Sequence, residues 1–492
     1  MKVTKLNNKD IVKSLAAFIV GTLGLALMVI LMIVINDVTG GISTGEYIRS
    51  HSKSILLVAV VLIVLTAILY FYFFFENKYV LTRLSKITEI FLLFYVGMML
   101  CFVLGKYLSV VARPLAFVAL MSVMLFRRRD SIFMNTIFAL IMIILDRFTT
   151  ITCLSDADSV QKMYDSYTSF FCTFCGGIVA IFLCRRVRTR IASVLIGLVL
   201  LIPVEIVNLV LHIPVDGMTT QKLLEHLLHG GLNCVFSVML FMLLLPVFEW
   251  MFAELTIFRL RELTSDDAKI IKKLKSQAPG TYNHCVVVAQ LVEACAREIG
   301  DDPELARAAA FYHDVGKLKN PEMFAENQSD YNFHAELTPE LSVDIIRSHA
   351  KDGAKLIKQH HLPDFFADIC VQHHGTLPIK YFYVKALKMS DGGLNIENYS
   401  YPGPVPTTKI AAIIMIADAS EAASRSLSDR SPEKVEALVR SLIEERLDLD
   451  QFNDCNITMR ELAVIKSTIV NQLTGVYHSR VSYPKLTVSK KK

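Results

Sequence analysis

The sequence predicts an all-α protein in which a polytopic bundle of transmembrane helices precedes a water-facing helical domain. Of its 492 residues, 53% are hydrophobic and only 20% are charged, which is too apolar for an ordinary soluble protein. The mean hydropathy is +0.45. The hydrophobic excess lies almost wholly before residue 254. We predict a transmembrane region at 1–253, an amphipathic connector at 254–280, a helical domain at 281–480 and a basic tail at 481–492.

The first region contains about eight hydrophobic runs that are candidates for membrane spans. A hydrocarbon core about 30 Å thick needs about 20 apolar residues per helix. The candidate runs lie near residues 14–35, 55–75, 87–106, 109–126, 131–148, 167–184, 191–211 and 232–252. The first run is longer than the apolar part of a signal peptide, so we interpret it as an anchor.

Basic clusters recur at every second loop of this region. Examples are Arg127–Arg129 and the arginines of 185–190, whereas the intervening loops are weaker in basic residues and carry acidic ones. The positive-inside rule therefore predicts a multi-pass protein of the cell membrane with its N-terminus and its C-terminal half in the cytosol. The lipid bilayer is an expected partner. The net charge of +5 is modest and does not indicate binding to a nucleic acid polymer.

The connector at 254–280 is charged and is predicted to end at Pro279-Gly280. Asp302 followed by Pro303 is a helix start signal, which predicts a helix through Tyr312. Other helical patterns cover 285–299, 339–347, 351–360, 364–373, 409–427, 432–445 and 459–475. Glycines and prolines mark a long loop at 391–408.

Five histidines and two aspartates in this second region indicate metal binding. They are His284, His313, Asp314, His349, His373, His374 and Asp418. A lone histidine on a helix is more often structural, and Asp418 alone could be a buried hydrogen-bonding residue. The set changes this interpretation, because four of its members form two tight doublets, His313–Asp314 and His373–His374, each beside a glycine. Imidazoles and carboxylates suit Mn, Fe or Zn.

Seven ligands are too many for one open catalytic ion but about right for two. Two neighbouring ions can hold both the attacking and the leaving oxygen of a phosphate ester, which predicts a binuclear phosphohydrolase. Lys317 could place a positive charge beside that phosphate, or it could be a surface lysine. His334 and the pair His360–His361 are interpreted as structural or surface residues.

The sequence resembles a known family, the membrane-anchored HD-domain phosphodiesterases. The motifs are Pro279-Gly-Thr-Tyr-Asn-His284, His313-Asp-Val-Gly-Lys317, Glu326-Asn-Gln328, Ser348-His349, Lys351-Asp-Gly353, His373-His-Gly375, Tyr381-Phe-Tyr383, Tyr401-Pro-Gly-Pro404 and Ala417–Arg425. In that family a transmembrane bundle carries a cytosolic HD domain that hydrolyses cyclic di-AMP to the linear dinucleotide pApA. The resemblance implies two ions, Fe or Mn.

By the same resemblance, His284, His313, Asp314 and Asp418 would hold one ion. Asp314, His349, His373 and His374 would hold the other, with Asp314 as the bridge. Asp314 and Lys317 would be the catalytic residues. Lys317, Tyr401 and Arg425 are expected to contact the substrate.

The chain departs from the family pattern at two places. Asn283 stands where the family often has a second histidine, and only 36–54 occupies the place of a large extracellular domain. Three alternatives stay open: an HD hydrolase of another cyclic dinucleotide or nucleotide, a nucleotide-binding membrane receptor without catalysis, and a transporter with a regulatory domain. A homo-oligomer is compatible with the sequence.

Overall fold

The computed structural model describes the chain except residues 1–5, 39–44, 46–47, 50–51, 150–155, 185–186, 217–218, 329–330, 391 and 477–492. The predicted basic tail and much of the predicted loop 36–54 lie outside the described residues. Within the described residues the elements are helices, and one isolated antiparallel bridge joins Pro378 to Ser400. The predicted all-α class is confirmed. The chain forms two compact units that divide between Phe258 and Arg259.

The first unit is built mainly from long apolar helices. They are α1 (Asn8–Val38), α2 (Ser52–Glu76), α3 (Lys78–Thr82), α4 (Leu84–Tyr107), α5 (Phe117–Leu125), α6 (Arg128–Thr149), α7 (Asp156–Phe171), α8 (Gly177–Cys184), α9 (Ala192–Asp216) and α10 (Thr220–Met251). Among the described residues, six segments are long and apolar enough to cross a membrane: Asn8–Ile35, Ser52–Glu76, Leu84–Tyr107, Met163–Cys184, Ala192–Leu211 and Thr220–Met251. Six of the predicted spans are thereby confirmed as apolar helices of sufficient length.

The fourth predicted span, 109–126, is wrong in its extent. Its helical part, α5, has 9 residues, and a helix of that length is only about 13 Å long. Pro114 lacks an amide N–H and disfavours a helical conformation at the residue before it, so the chain forms turns at 108–116. The fifth predicted span corresponds to α6, which begins with the charged residues Arg128, Arg129 and Asp130.

Residues 111–116 of the turn segment 108–116 are buried within the first unit. Non-helical backbone is tolerated at membrane depth where other protein groups satisfy it. Asn233 donates through its side-chain amide to the carbonyl of Val111 at 3.1 Å. The amide of Ala116 donates to the Ser237 hydroxyl at 3.3 Å. Polar side chains of α10 therefore replace helical hydrogen bonds that this segment lacks.

The predicted connector contains two helices, α11 (Ile257–Leu263) and α12 (Lys269–Gln277). Pro279 does not end the connector but begins the next helix, α13 (Pro279–Glu298). Proline is favoured at the first helical position because its missing N–H would have no helical partner there. The helix predicted from Cys285 therefore starts six residues earlier, which places His284 inside α13.

The remaining helices of the second unit are α14 (Pro303–Tyr312), α15 (Pro339–Gln359), α16 (Asp364–Gln372), α17 (Lys380–Met389), α18 (Lys409–Arg425), α19 (Pro432–Asp448) and α20 (Met459–Val476). The start of α14 confirms its prediction, because Asp302 accepts hydrogen bonds from two amides of the first turn. The two helices predicted at 339–347 and 351–360 form one helix, α15. Helix α17 was missed, and α18 is the most deeply buried helix of this unit, with every residue from Ile410 to Ala417 buried.

Candidate metal centre

Five helices bring the seven predicted ligand residues to one place in the second unit. His284 lies on α13, and His313 and Asp314 follow the last turn of α14. His349 lies on α15, the doublet His373–His374 follows α16, and Asp418 lies on the buried helix α18. His284, His313, Asp314, His349 and His373 are buried, and His374 and Asp418 are partly buried. Residues far apart in the sequence thus share one centre.

Asp314 lies in the middle of this centre and presents a different oxygen to each side. Its Oδ2 atom is 3.3 Å from Nε2 of His313 and 3.7 Å from Nε2 of His284. Its Oδ1 atom is 3.4 Å from Nε2 of His349 and 3.6 Å from Nε2 of His373. A single carboxylate therefore faces two pairs of imidazoles.

Asp418 faces the same centre from α18. Its Oδ1 atom is 3.0 Å from Nε2 of His284 and 4.0 Å from Nε2 of His313, and its Oδ2 atom is 3.8 Å from Nδ1 of His374. Two donor groups result, one of His284, His313 and Asp418, and one of Asp314, His349, His373 and His374. Within each group the donor atoms all lie within 4.8 Å of one another.

The hydrogen bonding of these atoms fits a bound cation. Among the described residues, His284 Nε2, His313 Nε2 and Asp314 Oδ1 are buried and make no hydrogen bond. Buried polar atoms rarely lack a hydrogen-bond partner, and three such atoms at one site indicate that a ligand binds there. The residues present therefore fit a site for metal ions.

The opposite ring nitrogens of the histidines are occupied, which orients the rings. Nδ1 of His313 donates to the Ala310 carbonyl at 2.6 Å, and Nδ1 of His373 donates to the Ile369 carbonyl at 3.2 Å. Nδ1 of His349 is likewise bonded to a backbone carbonyl, whereas Nδ1 of His284 contacts the Glu421 carboxylate at 2.6 Å. Such outer contacts leave Nε2 free for a metal and fix its direction.

The glycine of the His313–Lys317 motif allows the turn after Asp314 to approach α15. A Cβ atom on Gly316 would lie 1.9 Å from the carbonyl oxygen of His349 and 2.5 Å from the amide nitrogen of Gly353. No side chain fits there without backbone movement. The contact therefore fixes the distance between Asp314 and His349, two members of one donor group.

Lys317 is an ion-pair partner of Asp314 and is largely buried. Its Nζ atom is 2.8 Å from Asp314 Oδ2 and 2.8 Å from Glu326 Oε1. Burial would raise the pKa of Asp314, but the neighbouring Lys317 and His313 hold that pKa well below its usual range. Asp314 is therefore a carboxylate, the form that binds metals.

The two donor groups differ in their electrostatic surroundings. Burial alone would lower the pKa of His284, but its contacts with Asp418 and Glu421 raise it to about 10. Burial lowers the pKa of His349 to about 4, and the neighbouring His373 and Lys317 add to this against the attraction of Asp314. The carboxylates beside His284 therefore favour its protonated form, and the buried surroundings of His349 favour its neutral form.

The predicted substrate residues have different positions. The ring of Tyr401 stacks on that of His374, with centroids 4.2 Å apart, so Tyr401 borders the centre. Arg425 contacts Glu421, with Nη2 2.5 Å from Oε1, and Glu421 in turn contacts His284. Arg425 thus lies behind a ligand residue, and its contact with a substrate stays a prediction.

The histidines that we expected to be structural or surface residues lie apart from the two donor groups. His334 contacts the carbonyl of Met323 through Nε2 at 2.8 Å. His361 is exposed, and His360 is partly exposed at the end of α15.

Sequence reasoning missed two carboxylates beside the centre. Glu421 is 1% exposed and Glu326 is the second partner of Lys317. Glu421 follows Asp418 by three positions on one helix, so both residues lie on the same helical face. That spacing was a usable signal. Glu326 lies in a 3-10 turn, and no local pattern connects it with Lys317.

Two family models match the chain, one in each unit. A model described as a 7TM receptor with intracellular HD hydrolase matches residues 52–256, and an HD domain model matches residues 281–423. The first match contains five of the six apolar helices of spanning length and also α5 and α6. The HD match contains the seven predicted ligand residues.

Curated relatives resemble the chain in sequence. The chain is 40% identical over 301 residues to the cyclic-di-AMP phosphodiesterase PgpH of Listeria monocytogenes, which covers 61% of this chain and 41% of that protein. It is 42% identical over 262 residues to PgpH of Bacillus subtilis, covering 53% and 37%. The chain thus matches about two fifths of the length of these relatives.

Solved structures also match the second unit. The crystal structure of the L. monocytogenes PgpH HD domain is 44% identical, with 43% of this chain and 100% of that chain covered and a TM-score of 0.41. The same domain in complex with cyclic-di-AMP is 45% identical, with 44% and 99% covered and a TM-score of 0.42.

The matches and the structure agree on several general features. The six apolar helices and the match at 52–256 identify a multi-pass membrane protein. The HD match and the cluster of histidines and aspartates indicate dependence on divalent metal. The first unit thus matches the family described as 7TM receptors with an intracellular HD hydrolase, and the second unit matches the HD domain family.

Proposed function

We propose that this protein is a membrane-bound phosphodiesterase that hydrolyses cyclic di-AMP to pApA with two divalent ions, Fe or Mn. The observation that carries the proposal is the position of Asp314, whose two oxygens face two separate groups of imidazole nitrogens. A carboxylate that faces two groups of imidazoles could be shared by two neighbouring ions, the arrangement that clamps both oxygens of a phosphate ester. The relatives named cyclic-di-AMP phosphodiesterases support the choice of substrate.

In this proposal each ion has four protein ligands and Asp314 is shared. The first set is His284, His313, Asp314 and Asp418, and the second is Asp314, His349, His373 and His374. The distances between their donor atoms support this division. Nitrogen-rich sets with carboxylate oxygens suit Fe and Mn. His374 belongs to the second set by these distances, and its Nδ1 atom is also 3.8 Å from Asp418 Oδ2.

The ions would supply a nucleophilic water and Lewis acidity at one phosphorus of cyclic di-AMP. Water adds to that phosphorus, the bond to the 3′-oxygen breaks, and this oxygen takes a proton. Lys317, whose Nζ atom is 2.8 Å from Asp314 Oδ2, would offset the charge that develops on the phosphoryl oxygens. Tyr401 presents a ring at the border of the centre, where an adenine can stack.

We further propose that the N-terminus and the HD domain are both cytosolic. The basic clusters after the second, fourth and sixth predicted spans support this orientation. The eight predicted spans are an even number, and an even number of crossings leaves both ends of the chain on one side of the membrane.

The test uses the full chain purified in detergent and loaded with Mn. Chromatography should identify pApA as the product of cyclic di-AMP, with less turnover of cyclic di-GMP and of a cyclic mononucleotide. Asp314→Ala should abolish turnover, because it removes a ligand from both ions. The matched control is Asp344→Ala, which removes an exposed carboxylate paired with Arg347 on α15. Full activity of Asp314→Ala would refute the bridge.

A further inference from the structure

A cavity lies beside the turn that carries Asp314 and Lys317. Its volume is about 310 Å³, and its lining includes Val315, Gly316 and Leu318 of that turn. None of the seven predicted metal ligands lines it. The same backbone turn therefore borders two sites: the candidate metal centre, and this cavity formed with α12 and α15.

The lining of this cavity is strongly positive. Lys273 comes from α12, Lys319 from the turn and Lys355 from α15, and Asp352 is the one acidic residue of the lining. Three lysines against one aspartate leave a net charge of +2. Lys319 Nζ is 3.0 Å from both oxygens of Asp352, which offsets one of the three positive charges and leaves the other two in excess.

The positive charge extends beyond the lining to the end of α15. Burial lowers the pKa of His360, and the nearby Lys273 and Lys269 lower it further. The His360 imidazole therefore lies close to the positive charges of Lys269 and Lys273 on α12. Gln277 and Gln359 add amide donors to the lining.

We propose that this cavity, which we call the lysine pocket, binds a phosphate group. The group can belong to an anionic lipid headgroup or to a soluble phosphate compound. Lysines from three separate elements converge on a volume large enough for a headgroup, and lysine binds phosphate as a point charge. Basic clusters that follow a membrane span also attract anionic lipids. Because Gly316 lines the pocket, a ligand there contacts the turn that holds Asp314.

The test is amine labelling of the full chain, read by mass spectrometry for each lysine. In one arm the protein is reconstituted in vesicles of phosphatidylcholine, with or without phosphatidylglycerol. In the other arm it is kept in a neutral detergent, with inorganic phosphate or with chloride at equal ionic strength. Labelling of Lys273, Lys319 and Lys355 is compared with that of Lys388, Lys434 and Lys466, which lie outside the pocket.

Selective protection of the three pocket lysines supports the proposal. At a phosphate concentration of about twice the dissociation constant, their labelling should slow about threefold. Protection by phosphatidylglycerol alone identifies a lipid headgroup, and protection by inorganic phosphate identifies a soluble ligand. Equal labelling of all six lysines in both arms overturns the proposal. Labelling needs no turnover, so this result is independent of the proposed hydrolase activity.

A pair of charge variants gives a second measurement. Phosphate should raise the Tm of the parent protein, and replacing the pocket lysines together (Lys273→Gln, Lys319→Gln and Lys355→Gln) should remove most of that shift. Replacing Lys388, Lys434 and Lys466 with glutamine removes the same charge elsewhere and should preserve it. An equal shift in both variants would place phosphate outside the lysine pocket and contradict the proposal.

Discussion

Replacing Glu421 with glutamine tests whether the contact behind His284 supports metal binding. Glu421 Oε2 lies 2.6 Å from Nδ1 of His284, and the glutamate is 1% exposed. The substitution keeps the shape and an accepting oxygen but removes the negative charge that makes the imidazole a stronger ligand. The other three histidines that face Asp314 through Nε2 bond to backbone carbonyls instead, so the effect should be confined to the His284 group.

Loss of such an outer partner typically lowers metal affinity 10- to 100-fold, or about 1.4 to 2.7 kcal/mol. The lower half of that range is expected here, because Arg425 already offsets part of the charge of Glu421. At limiting Mn the variant should therefore bind about one ion where the parent binds two. The metal concentration for half-maximal hydrolysis should rise about tenfold.

The assay is metal content by elemental analysis after equilibration at fixed free Mn, together with hydrolysis across a Mn series. The control is Glu436→Gln, which removes an exposed carboxylate paired with Arg440 and Lys466. Unchanged metal content and an unchanged Mn requirement in Glu421→Gln would show that the contact does not tune the site.

Three other perturbations have defined outcomes. Gly316→Ala places a Cβ 1.9 Å from the His349 carbonyl, so it should destabilise the HD domain by about 1–3 kcal/mol in thermal unfolding; an unchanged Tm would contradict the close approach. Tyr401→Ala removes a ring stacked on His374, worth about 0.5–1.5 kcal/mol, and should raise the Mn requirement several-fold, whereas Tyr401→Phe should not. Removal of metal with EDTA should lower the Tm of the HD domain. Adding Mn at about 100 times its dissociation constant should restore about 2.7 kcal/mol of the free energy of unfolding. An equal Tm with and without metal would argue against a metal site that connects five helices.

The positions of the metal ligands could be predicted because their chemistry is visible in the sequence. Doublets such as His313–Asp314 lie beside glycines at helix ends, and the structure brings both doublets into the centre. The start of α14 could be predicted from Asp302 and Pro303 for a similarly local reason.

Other features of the fold and the site could not be predicted from a local sequence pattern. Hydrophobicity alone made 109–126 resemble a membrane span, but the helix does not extend through Pro114, and α10 supplies hydrogen bonds to the turns that precede α5. Pro279 was interpreted as a connector end although proline equally favours a helix start. The role of Glu421 required the packing of α13 against α18.

The turn segment at 108–116, buried from residue 111 onward, has a consequence for how the protein is made. The carbonyl of Val111 and the amide of Ala116 receive their partners from residues 122 and 121 positions later in the chain. An exposed peptide group in hydrocarbon costs several kcal/mol, so this segment cannot settle stably at depth while the ribosome is still synthesising the chain. We expect it to remain near the lipid–water boundary or beside the insertion machinery until α10 emerges. Biogenesis of this protein should then show a late step in which a chain truncated before α10 is short-lived.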